Sequence, residues 1–131
     1  MKSIKILVID SEEIILKSIG KALRNCEENN YDIVTSTTAL EGLKLIRSDK
    51  FDLVLIDLVI PGISTSELLR RIKNIDVEIP VVIMSGFPPT GIHSGKNRES
   101  EDELLKNASG FLLKPFTTEE VKSLITRVIM N

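Results

Sequence analysis

The stretch Phe51–Pro61 constrains the fold of this chain more than any other. Leu53 to Ile56 form a continuous apolar run that is too short for a typical helix and ends in an acid, Asp57. A strand that is buried on both faces of a parallel sheet has this unalternated pattern. Pro61 and Gly62 break the chain just after it. Because ligand and reaction sites of open α/β sheets lie at the carboxyl ends of such strands, Asp57 is the first candidate for a reactive group.

The rest of the chain alternates further predicted strands with helical patterns, without internal sequence repeats. Strands are predicted at Ile4–Ile9, Tyr31–Thr35, Leu53–Asp57, Val81–Ser85 and Gly110–Leu113. Helices are predicted from about Glu12 to Glu28, after Thr38 up to Ser48, after Ser64, over Glu101–Asn107 and after Thr117. The residues Thr38, Ser64 and Thr117 each precede a glutamate by three positions, which is a capping-box pattern. Alternating βα units predict an α/β fold, a single doubly wound five-stranded parallel sheet with helices on both faces.

Size and charge narrow the function classes. The 131 residues are enough for one domain with its own core, and we expect a single domain over residues 1–131 with no output domain. A net charge of −2 gives no basic surface for nucleic acid, and no apolar run approaches the ~20 residues that span a bilayer. The single cysteine, Cys26, forbids an internal disulfide, which fits the cytoplasm.

Polar residues follow or end four of the five predicted strands. They are Asp10, Asp57, Ser85 and Lys114. In a parallel sheet these ends share one rim, so the four side chains can converge. Two carboxylates brought together attract a hard divalent cation, and Mg²⁺ is the natural oxygen-liganded candidate. A carboxylate beside a metal, an ammonium and a hydroxyl is also suited to receive a phosphoryl group, whose transfer depends on positioning and charge neutralisation.

With these residues in place, the chain resembles a response-regulator receiver domain, the CheY-like family of two-component signalling, over essentially its whole length. The matching segments are Ile6–Asp10, Asp52–Asp57, Pro61-Gly62, Val81–Gly86 and Gly110–Phe116. Each is weak alone, but their order on this βα pattern is specific. The resemblance implies the flavodoxin-like strand order 2-1-3-4-5.

The resemblance also implies a role for each rim residue. Asp57 is the expected phosphoacceptor, and Asp10 and Asp57 are expected Mg²⁺ ligands together with the backbone carbonyl of Val59. Ser85 is the hydroxyl expected to approach the phosphoryl group, and Lys114 pairs with that group ahead of a cis bond to Pro115. Phe111 is the expected switch aromatic, although it is equally compatible with an ordinary core residue.

The function implied is a stand-alone cytoplasmic phosphorylation switch that uses Mg²⁺. Its donor would be a histidine kinase or a histidine phosphotransfer protein. Its output would be a downstream protein bound at the face of predicted helix 4, strand 5 and helix 5. It would not be a metabolic enzyme, since its only activities would be self-phosphorylation and autodephosphorylation. No nucleic acid or membrane partner is expected.

Ser11 departs from the family pattern, which has a metal-binding acid directly after the first aspartate. A hydroxyl is a neutral and weaker Mg²⁺ ligand, so weaker metal binding is expected, with Glu12 or Ser11 as the remaining ligand candidate. Ser11 also suits the N-cap of the first helix. The alternative function is therefore a pseudo-receiver, a binding module of the same fold that works without phosphorylation.

Two further observations bear on function. The loop Gly86–Ser100 is longer than the family pattern and is interpreted either as an altered output face or as a surface insertion without a role. His93, in that loop, has no metal-ligand partner at suitable spacing. A phosphohydrolase would need a second acid two residues after Asp10, which Glu12 matches only in part, and a flavin module would need a phosphate loop where the sequence is acidic.

Overall fold

Strand β3 (Leu53–Asp57) lies in the middle of a five-stranded sheet, and all of its residues are buried. The structure, a computed structural model, describes residues 3–24, 29–86, 104 and 106–129. The other strands are β1 (Ser3–Ile9), β2 (Asn30–Ser36), β4 (Val81–Ser85) and β5 (Gly110–Leu113). All pairings are parallel and the order is β2-β1-β3-β4-β5, which confirms the predicted fold.

Helices cover both faces of the sheet. They are α1 (Glu13–Arg24), α2 (Ala39–Ser48), α3 (Thr65–Ile75) and α4 (Thr118–Ile129), the last being the fifth helix of the sequence prediction. Apolar side chains of α1 and α4 share one buried cluster, and those of α2 and α3 share another. In the parts of the chain that the structure describes, no helix is both long and apolar enough to cross a membrane.

The two clusters explain why β3 lacks alternation. Val54 and Ile56 belong to the cluster under α2 and α3, whereas Leu53 and Leu55 belong to the cluster under α1 and α4. Neighbouring residues of a strand point to opposite faces, so a strand covered on both faces must be apolar throughout. Each such side chain contributes roughly 1.5–3 kcal/mol by leaving water. Polar residues are therefore confined to the strand ends, where Asp57 lies.

The three predicted capping boxes differ in the structure. At α4 the box is complete, because Thr117 Oγ1 accepts the Glu120 N–H at 3.1 Å and Glu120 Oε1 accepts the Thr117 N–H at 3.1 Å. At α2 the Thr38 side chain caps the Glu41 N–H, but the Thr38 N–H is satisfied by Ser36 Oγ at 3.3 Å instead.

At α3 only one half of the box forms as well. The Ser64 hydroxyl accepts the Glu67 N–H at 3.2 Å, while the Glu67 carboxylate binds Arg70 and Arg71. A glutamate beside two arginines on its own helix gains more from their charges than from a neutral N–H, so the second half of the motif is lost.

The first helix is shifted from its prediction. It begins at Glu13, so Glu12 rather than Ser11 occupies the N-cap position, and the N-cap prediction for Ser11 was wrong. Its buried face includes Leu16 and Gly20, and Ile15 lies only partly buried.

Several predictions fall outside the part of the chain that the structure describes. They concern Cys26, the end of the first helix at Glu28, most of the Gly86–Ser100 loop with His93, and most of predicted helix 4. Of that helix, positions 104, 106 and 107 are helical, and Leu104 is buried in the cluster under α2 and α3.

Candidate functional site

Asp10 follows β1 directly, and its side chain is fully buried. Its backbone N–H donates to the Ser36 carbonyl at 3.1 Å, which carries the β1–β2 pairing one residue past the strand. The carboxylate has two defined partners. Oδ1 accepts the Glu12 N–H at 2.9 Å, and Oδ2 accepts Lys114 Nζ at 3.0 Å. Burial and these two donors fix the carboxylate at the rim of the sheet.

Asp57 is the last residue of β3, the strand next to β1, and is only 8% exposed. Its Oδ1 accepts Lys114 Nζ at 3.2 Å. The same ammonium thus contacts both carboxylates, although the three residues are far apart in sequence. We call Asp10, Asp57 and Lys114 the rim triad.

Lys114 reaches this position from the edge strand β5. Its backbone N–H donates to the Ser85 carbonyl at 2.7 Å, and the Lys114–Pro115 peptide is cis, as predicted. Burial alone lowers the pKa of Lys114, but the hydrogen bond that its ammonium donates to Asp10 and the charges of Asp10 and Asp57 outweigh that effect. The net result is a pKa above the ordinary value of 10.5. Lys114 is therefore a permanent cation at neutral pH.

Ser85 ends β4, between the strands that supply Asp57 and Lys114, and is 3% exposed. Its register partner in β5 is Leu113, the residue before Lys114. Ser85 is thus placed at the rim of the sheet, on the strand between those that supply Asp57 and Lys114.

Phe111 lies three residues before Lys114, in β5, opposite Ile83 of β4. It is partly buried and packs against the cluster under α2 and α3. The structure therefore places Phe111 between that core and the edge of the sheet.

The remaining predicted metal ligands lie at the surface. The side chains of Ser11 and Glu12 are exposed, and Val59 is 69% exposed two residues after Asp57. Across the described ranges no third histidine, cysteine, aspartate or glutamate joins two others in a group able to hold a metal. Glu12 contributes its backbone N–H to Asp10, and its carboxylate is not brought into the site.

The donor set still suits Mg²⁺. This cation prefers oxygen ligands and is commonly held by one or two carboxylates with several waters completing the octahedron. Asp10 and Asp57 supply two carboxylates that meet at one nitrogen, so they are close enough to act together. With Lys114 the triad carries a formal charge of −1, and the neutral Ser11 adds nothing to it.

Sequence reasoning missed one residue beside the site. The hydroxyl of Thr65, the first residue of α3, donates to the carbonyl of Leu58, which directly follows Asp57. Thr65 is 7% exposed. No motif links residues seven apart across a turn, so the sequence carried no signal for this contact.

Comparison with known proteins gives a consistent result. The sequence model of the response regulator receiver domain family matches residues 6–126. The two-component response regulator ARR12 of Arabidopsis thaliana is 28% identical over 130 residues, which are 97% of this chain and 20% of that protein. The chain spans about a fifth or less of the length of such plant relatives.

Solved structures resemble the chain along nearly all of its length. A response regulator receiver domain protein from Clostridium thermocellum has a TM-score of 0.76 and 29% identity, covering 97% of this chain and 94% of that one. A CheY-like receiver domain protein from Methanospirillum hungatei has a TM-score of 0.79 at 23% identity, covering 98% and 95%, which supports the fold. From its fold and from the family match over residues 6–126, this chain belongs to the response regulator receiver domain family of two-component signalling.

Proposed function

We propose that this receiver domain takes a phosphoryl group onto Asp57 from a phosphohistidine donor, which is a histidine kinase or a histidine phosphotransfer protein. Receiver domains are signalling domains rather than metabolic enzymes, and they are generally Mg²⁺-dependent. The observation that carries the proposal is the rim triad, in which one lysine ammonium contacts two aspartates from different strands.

The chemistry requires an oxygen nucleophile and fixed positive charge beside it. The P–N bond of the donor breaks as a P–O bond forms to a carboxylate oxygen of Asp57, and the donor imidazole keeps the electron pair. Lys114 neutralises charge on the equatorial oxygens of the transferred group. Ser85, buried at the end of the neighbouring strand, supplies a hydroxyl to one of these oxygens. Slow hydrolysis of the resulting acyl phosphate resets the domain.

Asp10, Asp57 and the backbone carbonyl of Val59 would hold Mg²⁺. When bound, the cation supplies further positive charge to the phosphoryl oxygens. Asp10 contributes a second carboxylate, held in place by the Glu12 N–H. The exposed side chains of Ser11 and Glu12 leave this set one acid short of the family pattern, so we expect weak affinity.

The proposed output surface of the switch is the face formed by β5, by α4 (Thr118–Ile129) and by the segment 101–107, which the sequence predicts to be helical. Phe111 in β5 is partly buried against the cluster under α2 and α3, and we expect it to pack further inward when Ser85 moves toward a phosphoryl group. Leu113 of the same strand is 47% exposed and is available to a downstream protein. A change at Asp57 can thus reach this face through adjacent strand ends.

The second candidate is the pseudo-receiver. One observation favours it, namely that the structure groups only two acids at the rim within the residues it describes, with Ser11 where the family has another acid. In this case Lys114 would serve as the permanent counter-ion of Asp10 and Asp57, and partner binding would not require a phosphoryl group.

The test is a titration with Mg²⁺, with and without beryllofluoride, a mimic of the phosphoryl group, followed by amide NMR shifts. We expect beryllofluoride with millimolar Mg²⁺ to shift amides next to Asp57, Ser85 and Phe111. The variant Asp57→Asn should abolish the response. The control Asp52→Asn, directly before the start of the same strand, should preserve it. A wild-type domain that gives no response would support the pseudo-receiver instead.

A further inference from the structure

The backbone after Asp57 is held on both sides of Leu58. The Leu58 N–H donates to the Met84 carbonyl at 2.8 Å, which extends the β3–β4 pairing one residue past the end of β3. The Leu58 carbonyl accepts the hydroxyl of Thr65. Both peptide groups that flank Leu58 are therefore fixed, one by the sheet and the other by helix α3.

Thr65 makes this contact because of its place in the helix. It is the first residue of α3, with Ser64 as the N-cap. A hydroxyl deeper in a helix can donate to a carbonyl one turn earlier, but a hydroxyl at the first position has no such helical carbonyl. Thr65 is also buried, and a buried hydroxyl needs a hydrogen-bond partner. The Leu58 carbonyl satisfies it.

The backbone that follows Leu58 is also held at Ile60. Ile60 is 6% exposed and packs in the cluster under α2 and α3, whereas the side chain of Val59 is 69% exposed. Val59 thus lies between two anchored residues, with its side chain exposed to solvent. Because the peptide group between Leu58 and Val59 is fixed, the direction of the Val59 carbonyl depends only on the two backbone torsions of Val59.

We infer that Thr65 is a positioning residue for the proposed metal site: its bond to Leu58 holds the backbone so that the Val59 carbonyl meets the cation. The inference rests on the proposed function. Hydrogen bonds behind a metal ligand orient it and are part of the affinity of the site. Helix α3 is thereby tied to the segment that follows the phosphoacceptor.

The test compares Mg²⁺ affinity in Thr65→Val, Thr65→Ser and wild type, measured by calorimetry and by amide shifts of Asp57 and Val59. We expect Thr65→Val to bind Mg²⁺ about three- to tenfold more weakly, the effect of one hydrogen bond. Thr65→Ser keeps the hydroxyl and should bind within twofold of wild type, about the precision of such a measurement. Thr118→Val, the same change at the exposed first residue of α4, should have no effect.

The outcomes separate this inference from the function on which it rests. A wild-type domain that binds no Mg²⁺ at millimolar concentration overturns the proposed metal site itself. If wild type binds and Thr65→Val binds equally well, only the positioning role is overturned. If Thr65→Ser is as weak as Thr65→Val, the methyl group rather than the hydroxyl matters, which also overturns it. Should Thr65→Val not fold, Thr65→Ala replaces it under the same criteria.

Discussion

The two ends of the sheet each carry a lysine with two aspartates, but in different environments. At the amino end, Lys5 Nζ pairs with Asp49 and lies 5.5 Å from the ring centroid of Phe51. The Lys5 backbone N–H donates to Asp52 Oδ2 at 2.8 Å. Their side chains are accessible, with 29% exposure for Lys5 and 46% for Asp49. These contacts join the start of β1 to the start of β3.

The rim triad uses the same residue types in a buried setting. Side-chain exposure is 18% for Lys114, 0% for Asp10 and 11% for Asp57, and all the charges meet at one nitrogen. An exposed ion pair in water contributes little to stability, whereas removing one partner of a buried set leaves charges without compensation. The comparison shows that burial, and not residue type, distinguishes the rim triad from the surface ion pair at the other end of the sheet.

The largest expected effect follows from removing each lysine. Lys114→Met should slow phosphorylation of Asp57 by about a hundredfold, because fixed positive charge is lost beside the transferred group. Without Mg²⁺ it should also lower the free energy of unfolding by about 2–3 kcal/mol, below the range for full burial because Lys114 is partly exposed. Added Mg²⁺ should restore part of this stability. Urea unfolding and phosphorylation assays measure these changes.

Lys5→Met is the matched control for that prediction. Its ion pair is exposed and screened by solvent, so phosphorylation should be unchanged and stability should fall far less than in Lys114→Met. Equal loss of stability in the two variants would mean that burial does not distinguish the two ends of the sheet.

The next expected effect concerns Ser11, which stands where the family has a metal-binding acid. Ser11→Asp adds a carboxylate directly after Asp10 and should tighten Mg²⁺ binding by about tenfold, because the attraction of one added charge to a divalent cation is largely offset by the desolvation of both groups. Calorimetric titration measures it. Ser3→Asp, the same change at the exposed start of β1, should leave Mg²⁺ binding unaltered. If both variants bind equally well, net charge rather than ligand geometry sets the affinity.

The smallest expected effect is in the dependence of stability on pH. The pKa of Lys114 is raised in the folded domain, since its contacts with Asp10 and Asp57 outweigh burial, so its contribution is present below pH 10.5 and is lost as pH rises through the folded value. The stability difference between wild type and Lys114→Met should therefore shrink above pH 10.5. The pKa of Lys5 is also raised, chiefly by its hydrogen bond to Asp49, but its exposure makes the corresponding change smaller. Urea unfolding at neutral and alkaline pH tests both.

Much of the fold could be predicted because the pattern of apolar residues in a strand reflects which of its faces are buried. The bounds of β3 and β4 match their predictions to the residue, since strands buried on both faces are continuous apolar runs with polar residues only at their ends. The bounds of the edge strand β5 match as well, although only Leu112 of it is buried. The convergence of Asp10, Asp57 and Lys114 followed from parallel topology alone. These features depend on local pattern and sheet geometry.

The features that were not predicted depend on how the helices, strands and loops pack against one another. The burial of Leu16 requires the angle at which α1 lies on the sheet, and the rival partners of the Thr38 N–H and the Glu67 carboxylate are set by the surrounding loops. The bond from Thr65 to Leu58 joins a helix start to a strand end across a turn. Such contacts have no fixed spacing that a sequence pattern could indicate.

The most direct test that Asp57 is the phosphoacceptor is to locate a phosphoryl group on the wild-type domain by mass spectrometry. The domain is incubated with acetyl phosphate, a small phosphoryl donor, with and without Mg²⁺, and then digested. We expect one phosphoryl group per chain, formed only with Mg²⁺ and located at Asp57 in the peptide that also contains Asp52. No modification at millimolar Mg²⁺, or modification at Asp52 instead, would contradict it.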